Sequence, residues 1–192
     1  MKPYLFLSLA AALLTASACK KDAPDAGLPP ATQVGANTGG CLINGERFVA
    51  TGWGGSLLSN PIPALSGGFA FDSLYWLEVA GQIGGKNARV SIFLTKMGRN
   101  PPRTGSYLFN SNTPYYPQSI PGYVLNHATY TLADSNRGEV YVTDSQHTGQ
   151  TNIIYVDYSR GISAGTFEFT AASTFDPTKT VTVTSGRFDR KQ

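Results

Sequence analysis

Gly161-Ile162-Ser163-Ala164-Gly165 has the G-x-S-x-G spacing of a hydrolase nucleophile elbow. That chemistry needs the serine on a sharp turn between a strand and a helix, with an acid and then a histidine later in the chain. Here an alternating strand pattern follows, and both histidines, His127 and His147, lie upstream. The glycines are therefore read as the entry to a hairpin. Asp144, Ser145 and His147 supply the residue types of a triad, but a triad is assembled from separate elements and these three share one short loop. Two isolated histidines lack the ligand spacing of a zinc site. Asp134-Ser135-Asn136-Arg137-Gly138-Glu139 opens with spaced oxygen donors. A calcium loop, however, wants a further ligand where Gly138 stands and a bidentate glutamate much later, so a hairpin turn is the simpler reading. No catalytic residue, metal ligand or cofactor is assigned, and the chain is expected to be a non-enzymatic protein.

The remaining chemistry is aromatic. Trp53, Trp76, Tyr107, Tyr115, Tyr116 and Tyr123 lie in or beside irregular stretches, with Asn100, Arg103, Asn110 and Asn112 among them. Aromatic faces beside amide and guanidinium donors stack on sugars or anchor a partner protein, and these six are the candidate ligand-binding residues.

The elements that must position them are strands. Only 14% of the residues are charged, against roughly 25% in an ordinary soluble domain. Glycine, serine, threonine, asparagine and aromatics take their place, which suits short strands and tight turns. The formal net charge is +3 and the basic residues are scattered, which excludes a nucleic-acid footprint. Asn44-Gly45 between Cys41-Leu42-Ile43 and Glu46-Arg47-Phe48-Val49 predicts a hairpin, because both turn residues accept a positive φ. A glycine- and proline-rich loop over 51–68 follows. Strands are predicted over 74–80 and 88–94, separated by a turn at Gly84-Gly85-Lys86-Asn87. Tyr75, Leu77 and Val79 face inward there, as do Val90, Ile92 and Leu94. Residues 97–122 are irregular apart from a short strand over 106–109. Further strands are predicted over 123–132, 139–143, 152–158, 166–171 and 180–183, the last continuing to Phe188. Thr166, Glu168 and Thr170 face water. Val181 and Val183 share a parity that Phe188 breaks, so a bulge at Ser185-Gly186 is needed to bring Phe188 into the core. The expected fold is all-β: a single antiparallel β-sandwich or a partly closed meander barrel.

Lys2, an apolar run over 5–14 and the small residues Ala16-Ser17-Ala18 precede Cys19. This is a secretory signal pattern, too short for a membrane-crossing helix. Thr15-Ala16-Ser17-Ala18-Cys19 resembles the lipobox of bacterial lipoproteins, and the resemblance implies cleavage before Cys19 and acylation of that cysteine by diacylglycerol and a fatty acid such as palmitate. Cys41 then stands alone beside Leu42 and Ile43, as a small buried apolar residue. The expected organisation is a signal peptide over 1–18, a flexible tether over 19–37 from acylated Cys19, and an all-β domain over 38–192.

Leu28-Pro29-Pro30-Ala31-Thr32-Gln33 leads to Gly35-Ala36-Asn37-Thr38 and Cys41-Leu42-Ile43-Asn44-Gly45. With Gly165-Thr166-Phe167-Glu168-Phe169-Thr170-Ala171 and Val183-Thr184-Ser185-Gly186-Arg187-Phe188-Asp189, these stretches resemble a family of small lipoproteins from Bacteroidetes whose function is unknown. The resemblance implies no activity and transfers no site residue. The expected protein is a cell-envelope lipoprotein of the outer membrane, its face left open, held by a lipid anchor and binding a glycan or an envelope protein. A lipocalin-like carrier of a small apolar ligand is the alternative, and a hydrolase with a dispersed site ranks below it.

Overall fold

A computed structural model describes residues 27–55, 60–70, 74–95, 103–111, 125–133 and 138–192. The signal segment, Cys19, Tyr115, Tyr116, Tyr123 and most of the 134–139 turn lie outside the described residues.

Eleven strands run in chain order: β1 (Thr38–Ile43), β2 (Glu46–Val49), β3 (Leu65–Ala70), β4 (Leu74–Ile83), β5 (Lys86–Thr95), β6 (Gly105–Phe109), β7 (His127–Leu132), β8 (Glu139–Val142), β9 (Gly149–Asp157), β10 (Ile162–Ser173) and β11 (Thr180–Lys191). They form one strongly curled antiparallel sheet, ordered β2-β1-β11-β10-β8-β7-β5-β4-β3, which makes a half-barrel. The sheet forks at β10. Residues 162–169 of β10 pair with β9, which carries β6 on its far edge, while Ala172 and Ser173 pair with β8. A bridge between Ala50 and Gly81 links the end of β2 back to β4.

The predicted alternation is what builds the core. Tyr75, Leu77 and Val79 of β4 meet Val90, Ile92 and Leu94 of β5, with Phe48, Phe167, Phe169, Val181, Val183 and Phe188 from the other strands. Phe109 of β6 and Ile153 of β9 join the same cluster, so the forked branch packs on the common core. Each fully buried side chain of this size contributes about 2–3 kcal/mol of hydrophobic stabilisation. Cys41 is fully buried, and burial pushes its thiol up, away from the reactive thiolate.

Asn44 and Gly45 have φ of 50° and 84°, the two left-handed residues of the predicted tight turn. Asn44 adds a bond of its own: its Oδ1 accepts from the Thr182 amide at 2.9 Å. The predicted bulge is also present. Phe167 faces Gly186 and Phe169 faces Val183, so β11 holds one extra residue there. Ser185 takes the left-handed conformation, and Phe188 returns to the core.

One strand departs from expectation. Residues 65–70 fall partly inside the predicted loop yet form β3, paired with β4. Two consecutive glycines depress strand propensity, but Gly67 is needed for the pairing: a Cβ there would come within 2.1 Å of the Trp76 carbonyl oxygen. The turn between β4 and β5 is also tighter than predicted, with only Gly84 and Gly85 outside the strands.

Candidate functional site

Residues 27–37, the C-terminal part of the expected tether, lie on the half-barrel. Asp189, on the outward face of β11, receives Thr32 Oγ1 at 2.5 Å and the amides of Val34, Gly35 and Ala36 at 3.0, 2.7 and 3.2 Å. The Lys191 amide donates to Asn37 Oδ1 at 2.8 Å. Burial alone would raise the Asp189 carboxyl, but the Thr32 hydroxyl and the Val34, Ala36 and Gly35 amides outweigh it and hold it below the usual carboxylate range.

Beside this clasp lies a polar trough. Strand alternation turns Ser106 and Leu108 of β6, Gln150 and Asn152 of β9, and Thr166, Glu168 and Thr170 of β10 to one face. Register then sets them in rows: Ser106 by Asn152 by Thr166 by Arg187, and Leu108 by Gln150 by Glu168. Two adjoining depressions of about 400 and 410 Å3 share Gln150 and Glu168. Ala31 of the clasped segment and Ser185 of the bulge border the first, while Leu108, Thr182 and Thr184 border the second. Gln150 Nε2 donates to Glu168 Oε1 at 2.9 Å, which fixes the amide orientation and presents alternating donors and acceptors along the trough.

Of the candidate aromatics, Trp53 and Trp76 share the outer side of the β3–β5 region. Arg89 sits 5.5 Å from the Trp53 ring centroid and donates to Glu78 at 3.2 Å, and Glu78 also accepts from Ser66 at 2.9 Å. One row along, Trp76 lies opposite Phe93, which stacks on His127 at 4.6 Å. His127 Nδ1 faces the Leu125 carbonyl at 2.8 Å, and a carbonyl only accepts, so Nδ1 carries the proton and Nε2 holds a lone pair with no partner among the described residues. Burial lowers the His127 pKa, partly countered by that carbonyl, so the ring stays neutral. Thr129 Oγ1 and Arg89 Nε, on the same outer face, also lack partners among the described residues. Tyr107 is elsewhere, on β6. Its hydroxyl donates to the Arg103 carbonyl and accepts from the Arg103 amide, both at 2.7 Å, and its ring packs on the core. Trp53 and Trp76 thus lie on one face of the sheet, and Tyr107 lies away from it.

Ser163 lies within β10 and shares a 3.0 Å hydrogen bond with the buried Tyr75 hydroxyl. Asp144 and His147 form a local turn: the His147 amide and ring reach the carboxylate at 2.6 and 3.0 Å. Burial pulls the Asp144 carboxyl up, and the His147 hydrogen bonds reverse this to leave it low. No group of three or more metal-binding side chains occurs among the described residues.

Sequence reasoning missed Gln150, Asn152 and Arg187. Thr166, Glu168 and Thr170 were legible as outward residues, and only the β9–β10 register sets the others beside them. The architecture is an all-β half-barrel with a polar trough on its outer side. No protein-family model, curated protein or solved structure matches the chain.

Proposed function

We propose that the chain is a lipid-anchored envelope protein, attached through Cys19, whose half-barrel is a non-enzymatic binding module for a glycan. One observation carries the ligand class: the continuous trough over β6, β9, β10 and β11. Its Gln150, Asn152, Thr166, Glu168 and Arg187 side chains offer the mixed donors and acceptors that sugar hydroxyls require. Leu108, 56% exposed, supplies an apolar contact at one end for a sugar's C–H face. Tyr75, Phe188 and the other core side chains pack together on the inner side of the curled sheet, where a carrier would hold its ligand, and this supports the surface reading.

Glycan-array screening with the Cys19→Ala full chain tests this. A reproducible hit is expected, with affinity lowered at least tenfold by Gln150→Ala combined with Glu168→Ala. Both residues are exposed, so the double variant should melt close to the parent. A hit that survives the double variant but is lost on Trp76→Ala would move the site to the tryptophan face.

The anchor is tested separately. Cys19→Ala is expected to abolish acylation and transfer the protein from the membrane fraction to the soluble fraction. Retention of the variant in membranes would sink the lipoprotein reading.

A further inference from the structure

At the end of the half-barrel opposite the Tyr75–Ser163 pair, the tight turns of β1–β2 and β4–β5 and the ends of β7, β8 and β11 surround a depression of about 350 Å3. Its floor is aliphatic: Ile43, Ile83, Leu132 and Val181. Its polar side chains are Asn44, Lys86, two tyrosines and two glutamates, so oxygen acceptors outnumber cations. Tyr141 donates to Glu139 at 2.8 Å, which spends the phenol's hydrogen and leaves its oxygen an acceptor. The Tyr130 ring stands 5.8 Å from Tyr141, and its hydroxyl makes no hydrogen bond to a described residue. Glu46 and Glu139 add two carboxylates against one ammonium, Lys86. Burial, with Tyr141, Cys41, Glu139 and Glu46 nearby, pushes the Tyr130 hydroxyl up to about 12, so both phenols remain neutral and the two glutamates carry the local negative charge.

We propose that this depression binds an organic cation: a primary ammonium on a short aliphatic body. The aliphatic part covers Ile43, Ile83, Leu132 and Val181, and the ammonium donates its three hydrogens to Glu139, Glu46 and a phenol oxygen. A neutral alcohol has one hydrogen to donate and no charge, and a carboxylate is repelled. The site is separate from the trough, so it stands or falls independently of the glycan reading.

The test is a titration of the isotope-labelled full chain by NMR, with n-hexylammonium, 1-hexanol and hexanoate as probes. Hexylammonium is expected to shift the amides of Tyr130, Tyr141 and Val181 and to bind at least tenfold tighter than hexanol, with the advantage shrinking as salt is added. Glu139→Gln with Glu46→Gln should cut that ratio to about one. Hexanol binding within twofold of hexylammonium to the native chain, or shifts confined to other residues, would overturn the proposal. The three probes are compared on the native chain, so the result does not depend on the variants folding.

Discussion

Asp189→Ala is expected to lower stability by about 3 kcal/mol and to loosen residues 32–36 while the half-barrel stays folded. The carboxylate accepts four hydrogen bonds, three of them from backbone amides, and is 1% exposed. A hydrogen bond to a charged group contributes about 1.5–3 kcal/mol, and an amide left unpaired in a buried place costs about 1–3 kcal/mol. Water entering the loosened segment satisfies some of these amides, which keeps the total below the simple sum. The pH dependence has a definite sign. The folded-state pKa lies below the unfolded value, so the contribution is complete above the ordinary aspartate range and is lost as pH falls through the folded pKa. Asp144, Asp157 and Asp176 also have lowered pKa values, so the acid sensitivity of the native chain alone does not isolate Asp189. The difference between the native chain and Asp189→Asn does. Denaturant melts should show it larger at pH 7 than at pH 3, below the ordinary aspartate range. An equal difference at both values would show that the carboxylate charge plays no part in the clasp. Hydrogen exchange should locate the loosening at Val34, Gly35 and Ala36.

Gly186→Val is expected to be as damaging, costing about 3 kcal/mol or more and shifting the register of the β10–β11 pair. A Cβ at Gly186 would lie 2.4 Å from the Phe167 carbonyl oxygen and 2.4 Å from a Phe167 ring carbon. A ring can turn aside, but the carbonyl belongs to the strand that β11 pairs with, so the backbone must separate. Overpacking in a close-packed interior costs about 1–3 kcal/mol through side chains alone, and the backbone displacement adds to it. The bulge also sets the parity of everything after it. If the extra residue were expelled, Phe188 would turn outward and Asp189 inward, losing the core ring and the clasp together. Thermal melts of Gly186→Ala and Gly186→Val should form a graded series. A Gly186→Val protein that melts like the parent would show that the bulge tolerates a side chain.

Much of this architecture was legible because its signals are local. Asn44-Gly45 marks a turn through its own backbone preferences, and the parity conflict between Val183 and Phe188 marks the bulge, since only an extra residue reconciles the two. β3 was obscured because Gly67 and Gly68 erase the alternation that marks a strand, although the closeness of β3 to the Trp76 carbonyl is why glycine stands there. The clasp had no sequence signal. Asp189 binds mainly backbone amides some 150 positions away, and an amide has no residue type to recognise. The sites were hidden for a related reason. The trough needs the register of four strands and the acceptor-rich depression needs the ends of several, so neither forms a motif along the chain. Of the candidate aromatics, Trp53 and Trp76 share one face of the sheet, while Tyr107 on β6 is held by its bonds to Arg103.

The clasp also has a mechanical meaning. If the chain is held at Cys19, tension entering at residue 27 meets the Asp189 bonds before it reaches β1, which is flanked on both sides by β2 and β11. The clasp is therefore the first link to yield, and the sheet behind it remains intact. Freed residues 27–37 could span up to roughly 36 Å, at about 3.3 Å per extended residue. A pull on the domain would then be met by extension of the tether and not by unfolding, and rebinding of four hydrogen bonds would draw the domain back when the force is released.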